Sequence, residues 1–233
     1  MQLERILRSQ GFGSRPESRT LICSGKVYVD GLLCEDPYAD YETEDLRFSV
    51  DGIEWIYREF TYLLLNKPSH FECSHKPKFH RSIYSLLPKQ LVNRGVQAVG
   101  RLDEDTTGLL LLSDDGQFIH KYTSPKKQIP KVYDISTKHL IDDAQINSLL
   151  YGVKLNDEQE NVRATHCVLL DEKLLRMTVT EGKYHLVKRM IAASGNRVEA
   201  LNRVSIGGLN LSGDIKVGVC WLETSDLKLL AEY

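Results

Sequence analysis

The sequence has few cysteines and no long apolar run, and both shortages exclude classes of protein. Its five cysteines lie at unpaired spacings among 233 residues, and an odd, scattered set is typical of reduced thiols in a cytosol. No segment approaches the ~20 apolar residues that a membrane span needs. The first residues also lack the basic-then-apolar order of a signal peptide. We therefore expect a cytoplasmic protein without a membrane segment.

Metal ligands and nucleotide-binding loops are equally scarce. Cys73-x-His75, with His80 nearby, is the one arrangement that resembles a set of metal ligands. It lacks a second cysteine pair at the spacing of a zinc site. No segment makes a convincing glycine-rich nucleotide loop. We expect neither a metal nor a cofactor.

What the chain does have is globular composition and segregated charge. Hydrophobic residues make up 42% and charged residues 27%, which suits one large or two modest domains. The net charge is −2, but residues 62–101 hold seven basic side chains against one acid, and residues 116–133 hold four lysines and no acid. Residues 30–61 reverse the balance, with ten acids against two arginines. Such segregation can build basic faces on a nearly neutral protein, and basic faces are what phosphate contacts require.

The N-terminal segment predicts a small, separate unit. Leu3, Ile6 and Leu7 recur at helical spacing, and Gly11 ends that helix. Ser14 to Glu17 has the form of a capping box that starts a second helix. A short strand, the turn at Asp30-Gly31 and a further strand–turn–strand pattern follow, with an acidic connection over residues 35–45. We place a domain boundary near Phe60, which divides the chain into residues 1–59 and 60–233.

This unit resembles the S4 RNA-binding domain, in which two short helices precede a small hairpin. The matching segments are Leu3–Leu7, Gly13–Arg15, Leu21–Val27 and Val29–Gly31. The residues agree with that resemblance, because Arg15 at a helix N-terminus and Arg19 one turn later place two guanidinium groups on one surface. We expect Arg15 and Arg19 to contact RNA.

From Phe60 onward strands and helices mix without regular alternation, which predicts an α+β domain with a mixed or antiparallel sheet. The predicted strands are Tyr62–Leu65, Leu109–Ser113, Val132–Thr137, Arg163–Leu170, Leu174–Val179 and Val198–Val204. The predicted helices are Gln117–Tyr122, Asp142–Tyr151 and Tyr184–Ala193.

The most informative segment joins a polar loop with three acids to an apolar strand and a tight Asp-Gly turn. It runs from Gly100 to Gly116, and loops anchored on rigid strands commonly present catalytic groups. Its Gly-Arg-Leu-Asp-x-Asp-Thr-x-Gly-Leu-Leu pattern resembles the signature of the RsuA-type pseudouridine synthases. The resemblance implies that Asp103 is the catalytic residue of an enzyme that isomerises a uridine in small-subunit ribosomal RNA, without a cofactor.

Further segments match the same family in the same order and extend the resemblance over nearly the whole chain. They are Leu65–Pro68, the Lys-x-Tyr of Lys131–Tyr133, and Glu181–Met190. Two positions depart from the family pattern: Leu186 stands where Gln is usual, and Lys183 replaces a usual Arg. Leu186 leaves one polar contact inside the site in doubt.

The resemblance also implies roles for the side chains around Asp103. A carboxylate in an apolar pocket stays ionised only beside a cation. Lys188 and Arg189 are neighbours on a predicted helix and point ~100° apart, so only one of them can face the pocket. The family's basic position falls on Lys188, which we therefore expect to pair with Asp103. We expect Arg189 to bind RNA. Tyr133 is expected to hold the flipped uracil. Four further polar or charged residues lie within the segments that match the family, and we expect them to contact RNA: Arg101, Lys67, Lys131 and His185.

Two other classes of function stay open at this point. One is a non-catalytic S4-type assembly factor that retains the fold. The other is a glycosidase, which usually needs two placed carboxylates that Asp103 could form with Asp105 or Glu104. The expected partner is small-subunit ribosomal RNA, either naked or in an assembling particle, and the expected state is a monomer.

Overall fold

A computed structural model describes residues 1–156, 158–211 and 218–233. The chain forms two compact units. The first comprises Met1–Thr61 and Leu87–Gln97, and the second comprises Tyr62–Leu86 and Ala98–Tyr233. No helix among the described residues is long and apolar enough to cross a membrane.

The first unit contains three helices and a four-stranded antiparallel sheet in the order β2-β1-β3-β4. The helices are α1 (Leu3–Ser9), α2 (Arg15–Cys23) and α3 (Lys89–Asn93), and the strands are β1 (Val27–Val29), β2 (Leu32–Leu33), β3 (Arg47–Val50) and β4 (Ile53–Ile56). The capping box predicted at the start of α2 is present, since the Ser14 amide donates to the Glu17 carboxylate over 2.7 Å. The core forms because α1 turns Leu3, Ile6 and Leu7 toward the sheet.

The segment that contains α3 belongs to the first unit, although residues 62–86 of the second unit precede it in the chain. Arg94 donates hydrogen bonds to the backbone carbonyls of Arg58 and Glu59, each over 3.0 Å. A Cβ atom at Gly11 would lie 2.0 Å from the Gln90 carbonyl oxygen, so glycine is required at this approach. The predicted division at residues 59 and 60 did not anticipate this return of the chain, because nothing in residues 87–97 marks their partner.

The second unit is built on a mixed sheet with helices packed against it. The strands of this unit are β5 (Tyr62–Lys67), β6 (Phe71–Glu72), β7 (Arg81–Ser82), β9 (Thr107–Ser113), β10 (Lys131–Thr137), β11 (His166–Asp171), β12 (Leu174–Val179), β13 (Val198–Ile206), β14 (Leu209–Asn210) and β15 (Gly218–Trp221), and β8 (Gln97–Ala98) pairs with β9. Strands β6 and β7 form a separate two-stranded sheet. Its α-helices are α4 (Gly116–Thr123), α5 (Asp143–Tyr151), α6 (Leu186–Ala193) and α7 (Thr224–Leu229), and Ile83–Leu86 and Pro125–Lys127 form 3₁₀ turns.

Seven strands follow one another across this sheet in the order β11-β12-β10-β13-β9-β5-β15. The pair β9 and β13 is parallel, and the other neighbours in that order are antiparallel. The predicted α+β class with a mixed sheet is therefore confirmed. Leu109 to Leu112 of β9 are fully buried on both faces of the sheet, so the loop that precedes β9 rests on a rigid base.

Two backbone positions set where the functional loops lie. Gly108 has φ +101°, and a Cβ atom there would meet the Arg203 carbonyl oxygen at 2.2 Å, so glycine lets β9 approach β13. His185 has φ +48°, which ends the preceding loop and makes α6 begin at Leu186 rather than at the predicted Tyr184. His185 lines the cavity described next.

Candidate active site

A cavity of about 1030 Å³ opens in the second unit. Its lining includes residues from the segments 72–80, 99–106 and 181–185, from the start of α6, and from β10 and β13. These segments lie far apart in sequence, and the mixed sheet brings their ends together. Asp103, Lys131, Tyr133, His185 and Lys188 all face this one space.

The loop that carries Asp103 is fixed from below by Lys67. The Lys67 side chain is fully buried, and its ammonium donates to the carbonyl oxygens of Pro68, Glu104 and Thr106 over 3.0, 3.0 and 2.9 Å. Burial lowers the pKa of Lys67. The sequence placed Lys67 among the RNA contacts, but in the structure its side chain points into the protein and holds the loop that carries Asp103 in shape.

Asp103, Lys188 and Asp105 form a compact charged group at the cavity wall. The Lys188 Nζ atom lies 3.0 Å from Asp103 Oδ2 and 2.6 Å from Asp105 Oδ1. Burial by itself lowers the pKa of Lys188, but hydrogen bonds to Asp105 and Asp103 outweigh it and raise that pKa. Burial likewise raises the pKa of Asp105, and the bond from Lys188 more than reverses this. Lys188 thus keeps the Asp105 carboxylate charged inside a partly buried site.

His185 completes the contacts of Asp103. Its Nε2 atom lies 3.2 Å from Asp103 Oδ1, and its ring stacks on Tyr184 with a centroid separation of 3.8 Å. His185 therefore faces the carboxylate directly, whereas the sequence suggested an RNA or phosphate contact. Tyr184, which is largely exposed, lies at the rim of the cavity.

Arg189 points away from Asp103. Its guanidinium donates to the Tyr184 carbonyl over 3.0 Å and lies 4.0 Å from Glu158. The Glu158 carboxylate also pairs with Lys183 at 2.8 Å, and together with Glu181 it raises the pKa of Lys183. Arg189 is therefore engaged in holding the 181–185 loop, and this differs from the RNA contact that we expected of it.

Tyr133 lies in β10 with its ring buried at the cavity wall. Its neighbour in the sheet is Arg203, which is 3% exposed. Arg203 Nε donates to the Leu109 carbonyl over 2.7 Å, and Nη1 lies 3.4 Å from the Tyr133 hydroxyl. Within the described residues Nη2 has no partner. A buried guanidinium with a spare donor, beside a buried tyrosine, can bind a polar planar ligand.

Arg203 was missed from the sequence, although a signal was present. Leu201, Arg203 and Ser205 alternate along β13, and in a strand such residues share one face. All three are buried. The sequence therefore did contain a sign of Arg203: a charged residue stands at a position of β13 where the alternation predicts a buried side chain.

Two more predicted residues line the cavity. Arg101 is exposed and lies next to the catalytic loop. Lys131 donates to the Ile129 carbonyl over 2.9 Å. Burial, with the charge of Arg203 as a second cause, lowers the pKa of Lys131 from 10.5 to about 8.

Leu186, the departure from the family pattern, is buried at the cavity wall. It gives the site an apolar surface where a polar contact is usual. The suggested metal ligands are used otherwise: the His75 ring stacks on Tyr84 with centroids 3.6 Å apart, and Cys73 is buried. Among the described residues no group of three ligating side chains is placed to hold a metal ion.

In the first unit, Arg15 and Arg19 both pair with Glu4, which is 3% exposed. The Arg19 contact is the closer one, and it is the largest cause that lowers the pKa of Glu4. Both arginines stay partly exposed, so each can reach an external phosphate while it neutralises the buried carboxylate.

Comparison with known proteins places this geometry in a family. The model of the RNA pseudouridylate synthases matches residues 61–193, and the model of the S4 domain matches residues 1–46. The chain belongs to the RNA pseudouridylate synthase family. It is therefore an RNA-modifying isomerase with an S4 domain, and the family predicted from the Gly100–Leu110 signature is confirmed. The catalytic interpretation is favoured over that of a non-catalytic assembly factor.

The relatives match over almost their full lengths. Ribosomal small subunit pseudouridine synthase A of Escherichia coli K12 is 37% identical over 219 residues, which is 94% of each chain. The enzyme of the same name from Vibrio parahaemolyticus is 34% identical over 226 residues, again 94% of each chain. A Bacillus subtilis protein named as the uncharacterized RNA pseudouridine synthase YtzG is 34% identical over 221 residues, 94% of this chain and 92% of its own.

One solved structure extends the likeness to the fold. A pseudouridylate synthase crystal structure superposes with a TM-score of 0.69 at 29% identity and covers 99% of both chains. Both the S4 unit and the mixed-sheet unit thus lie within the similarity, as the sequence predicted.

Proposed function

We propose that this enzyme converts one uridine of small-subunit ribosomal RNA to pseudouridine, with Asp103 as the catalytic carboxylate. The observation that carries the proposal is the contact of Asp103 with Lys188 inside a cavity large enough for a nucleotide. The relatives' names support the choice of RNA. We also propose that the enzyme acts as a monomer in the cytoplasm, on naked RNA or on an assembling particle.

The reaction needs one charged carboxylate beside the sugar. The N1–C1′ bond breaks, the uracil rotates, and a C5–C1′ bond forms, while N1 gains the proton that C5 loses. Asp103 acts either as a nucleophile at C1′ or as the base that removes the C2′ proton. In both routes its charge stabilises positive character on the sugar as the base departs. Lys188 serves this step by pairing with the Asp103 carboxylate at 3.0 Å.

Tyr133 and Arg203 are the groups suited to hold the detached uracil. The base must leave the RNA stack and lie against an aromatic face, and the Tyr133 ring is fixed at the cavity wall. Uracil carries two carbonyl oxygens, and the Nη2 group of Arg203, which has no partner among the described residues, can donate a hydrogen bond to one of them. Leu186 adds an apolar surface that favours a planar, uncharged base over a charged one.

Phosphate contacts come from cations that line the cavity or lie on the surface of the S4 domain. Arg101 and Lys131 line the cavity, and Arg15 and Arg19 lie in the S4 domain. The Asp103 loop carries two further acids, Glu104 and Asp105, and Lys188 bonds to both Asp103 and Asp105. The family match and the S4 domain, rather than the number of acids, argue against the two-carboxylate glycosidase mechanism.

Mapping pseudouridine along the small-subunit RNA tests the proposal. RNA from cells that lack the protein should miss one pseudouridine, and the wild-type gene should restore it. The Asp103→Asn gene should fail to restore it although the protein accumulates normally. An unchanged map in the deletion strain would contradict the small-subunit substrate, and restoration by Asp103→Asn would contradict the role of the carboxylate.

A further inference from the structure

The loop from Glu72 to Arg81 has a shape and composition that the catalytic chemistry does not use. The short parallel pair β6 and β7 closes its ends, and Lys76, Lys78 and Phe79 line the cavity from it. The Phe79 ring is 88% exposed. An aromatic ring left in water at the rim of a functional cavity gains nothing for the fold, which points to a partner that covers it.

Glu72 gives this loop a fixed conformation. Its carboxylate accepts hydrogen bonds from the backbone amides of Lys78, Phe79 and His80 at 3.0, 2.7 and 2.8 Å. These three bonds, the one from Phe79 first, lower the pKa of Glu72. The Ser82 hydroxyl closes the base of the loop by donating to the Ser74 carbonyl over 2.6 Å. Phe79 is thus held outward by its own backbone.

The charge of the loop selects the kind of partner. Lys76 and Lys78 are exposed, and within the described residues neither forms an ion pair. The single acid of the loop, Glu72, directs its charge to backbone amides, so it does not cancel the lysines. Exposed cations beside an exposed aromatic ring are the elements with which proteins bind single-stranded nucleic acid: the ring stacks on a base and the cations contact the phosphates.

We propose that the Glu72–Arg81 loop is a second RNA contact of this enzyme, in which Phe79 stacks on a base that flanks the target uridine and Lys76 and Lys78 bind the adjoining phosphates. The inference rests on the proposed function for the identity of the RNA, but the stacking itself requires only a single-stranded RNA. The loop would hold the neighbouring nucleotide while the target base turns within the cavity.

The test measures binding of a fluorescein-labelled twelve-nucleotide oligouridine by fluorescence anisotropy, with the full chain and its variants. Phe79→Ala should weaken binding roughly 5- to 150-fold, the range for loss of one stacked base. Phe79→Tyr should bind as the wild type does, and Phe79→Leu, which keeps an apolar side chain without a π-face, should resemble Phe79→Ala. Tyr151→Ala is the matched control, because Tyr151 is 85% exposed but lies at the end of α5, outside the cavity lining.

Salt dependence separates the lysines from the ring. Lys76→Met and Lys78→Met should each reduce the slope of log K against log salt by about 0.7, the value for one phosphate contact on a single strand. Phe79→Ala should leave that slope unchanged. Equal binding by Phe79→Ala and Tyr151→Ala would overturn the proposal, and so would full binding by Phe79→Leu.

Turnover by the wild type on transcribed small-subunit RNA, measured alongside, distinguishes this proposal from the proposed function. If the wild type forms no pseudouridine but Phe79 still governs binding, the loop contact stands and the substrate assignment falls. If the wild type forms pseudouridine and the Phe79 variants bind normally, the assignment stands and the loop contact is overturned.

Discussion

The Lys188 ammonium lies 3.0 Å from the Asp103 carboxylate, although the two residues are far apart in the sequence. The same ammonium lies 2.6 Å from Asp105. One cation therefore serves two carboxylates, of which Asp103 also contacts His185. Asp103 lines the cavity and Asp105 is not among its lining residues, so we infer that Asp105 positions the lysine and that Asp103 faces the substrate.

Asp103→Asn should reduce pseudouridine formation by at least ~10³-fold, because an amide can act neither as nucleophile nor as base. RNA affinity should change less than about threefold, since no phosphate contact is removed. Single-turnover rates on transcribed RNA, together with a binding titration of the same variant, check both parts.

Asp105→Asn is the matched control for that change. It removes one bond to Lys188 but leaves Asp103 paired with Lys188 and His185, so the rate should fall by roughly tenfold or less. A larger loss for Asp105→Asn than for Asp103→Asn would exchange the two roles.

Lys188→Met should slow the reaction at neutral pH and displace the rate profile toward higher pH. The bond from Lys188 is what holds the pKa of Asp105 below its usual range against burial, so loss of the cation lets burial raise that pKa. Asp105, beside Asp103, then becomes charged only in more alkaline solution, and the rate should follow that charge. Single-turnover rates from pH 5 to 9 measure the displacement.

Arg189→Met serves as the control, because Arg189 bonds to the Tyr184 carbonyl rather than to Asp103. Its profile should keep the wild-type position on the pH axis even if the rate falls through loosening of the 181–185 loop. A displaced profile for Arg189→Met and an unmoved one for Lys188→Met would contradict the assignment.

The sequence indicated much of the fold and of the candidate site. What it did not indicate are directions, of one buried side chain and of one loop, that no residue pattern shows. The Gly100–Leu110 signature, the Lys131–Tyr133 motif and the Glu181–Met190 segment pointed to Asp103, Tyr133 and Lys188, which the structure brings to one cavity. Lys67 was misplaced because β5 is buried on both faces, so a strand of this kind carries no alternation that shows which way a lysine points. The contacts of the 72–81 loop depend on backbone amides around Glu72, which no residue pattern announces.

Lys67→Met should destabilise the protein and leave RNA binding intact once the variant is folded. The change leaves three buried carbonyl oxygens without their donor, a loss we place at ~2–4 kcal/mol in the free energy of unfolding. Urea denaturation gives this value, and a salt titration should show an unchanged slope of log K for RNA. A stable variant with a slope reduced by about one phosphate contact would return Lys67 to the RNA surface.

Lys131 should make RNA binding weaker as the solution becomes alkaline. Its pKa is lowered to about 8, so above pH 8 the free enzyme holds a neutral amine that must take up a proton before it can pair with a phosphate. The dissociation constant should therefore rise by up to about tenfold per pH unit above pH 8. The stability of the fold should change in the other direction. Between pH 8 and 10.5 the unfolded chain binds more protons at this lysine than the folded chain does, so the free energy of unfolding rises with pH there. Anisotropy titrations from pH 7 to 9.5 should show this rise of the dissociation constant in the wild type but not in Lys131→Met. The control is Lys126→Met, which changes an exposed lysine in the turn before β10 and should show the rise. An equal rise in Lys131→Met would mean that another group titrates.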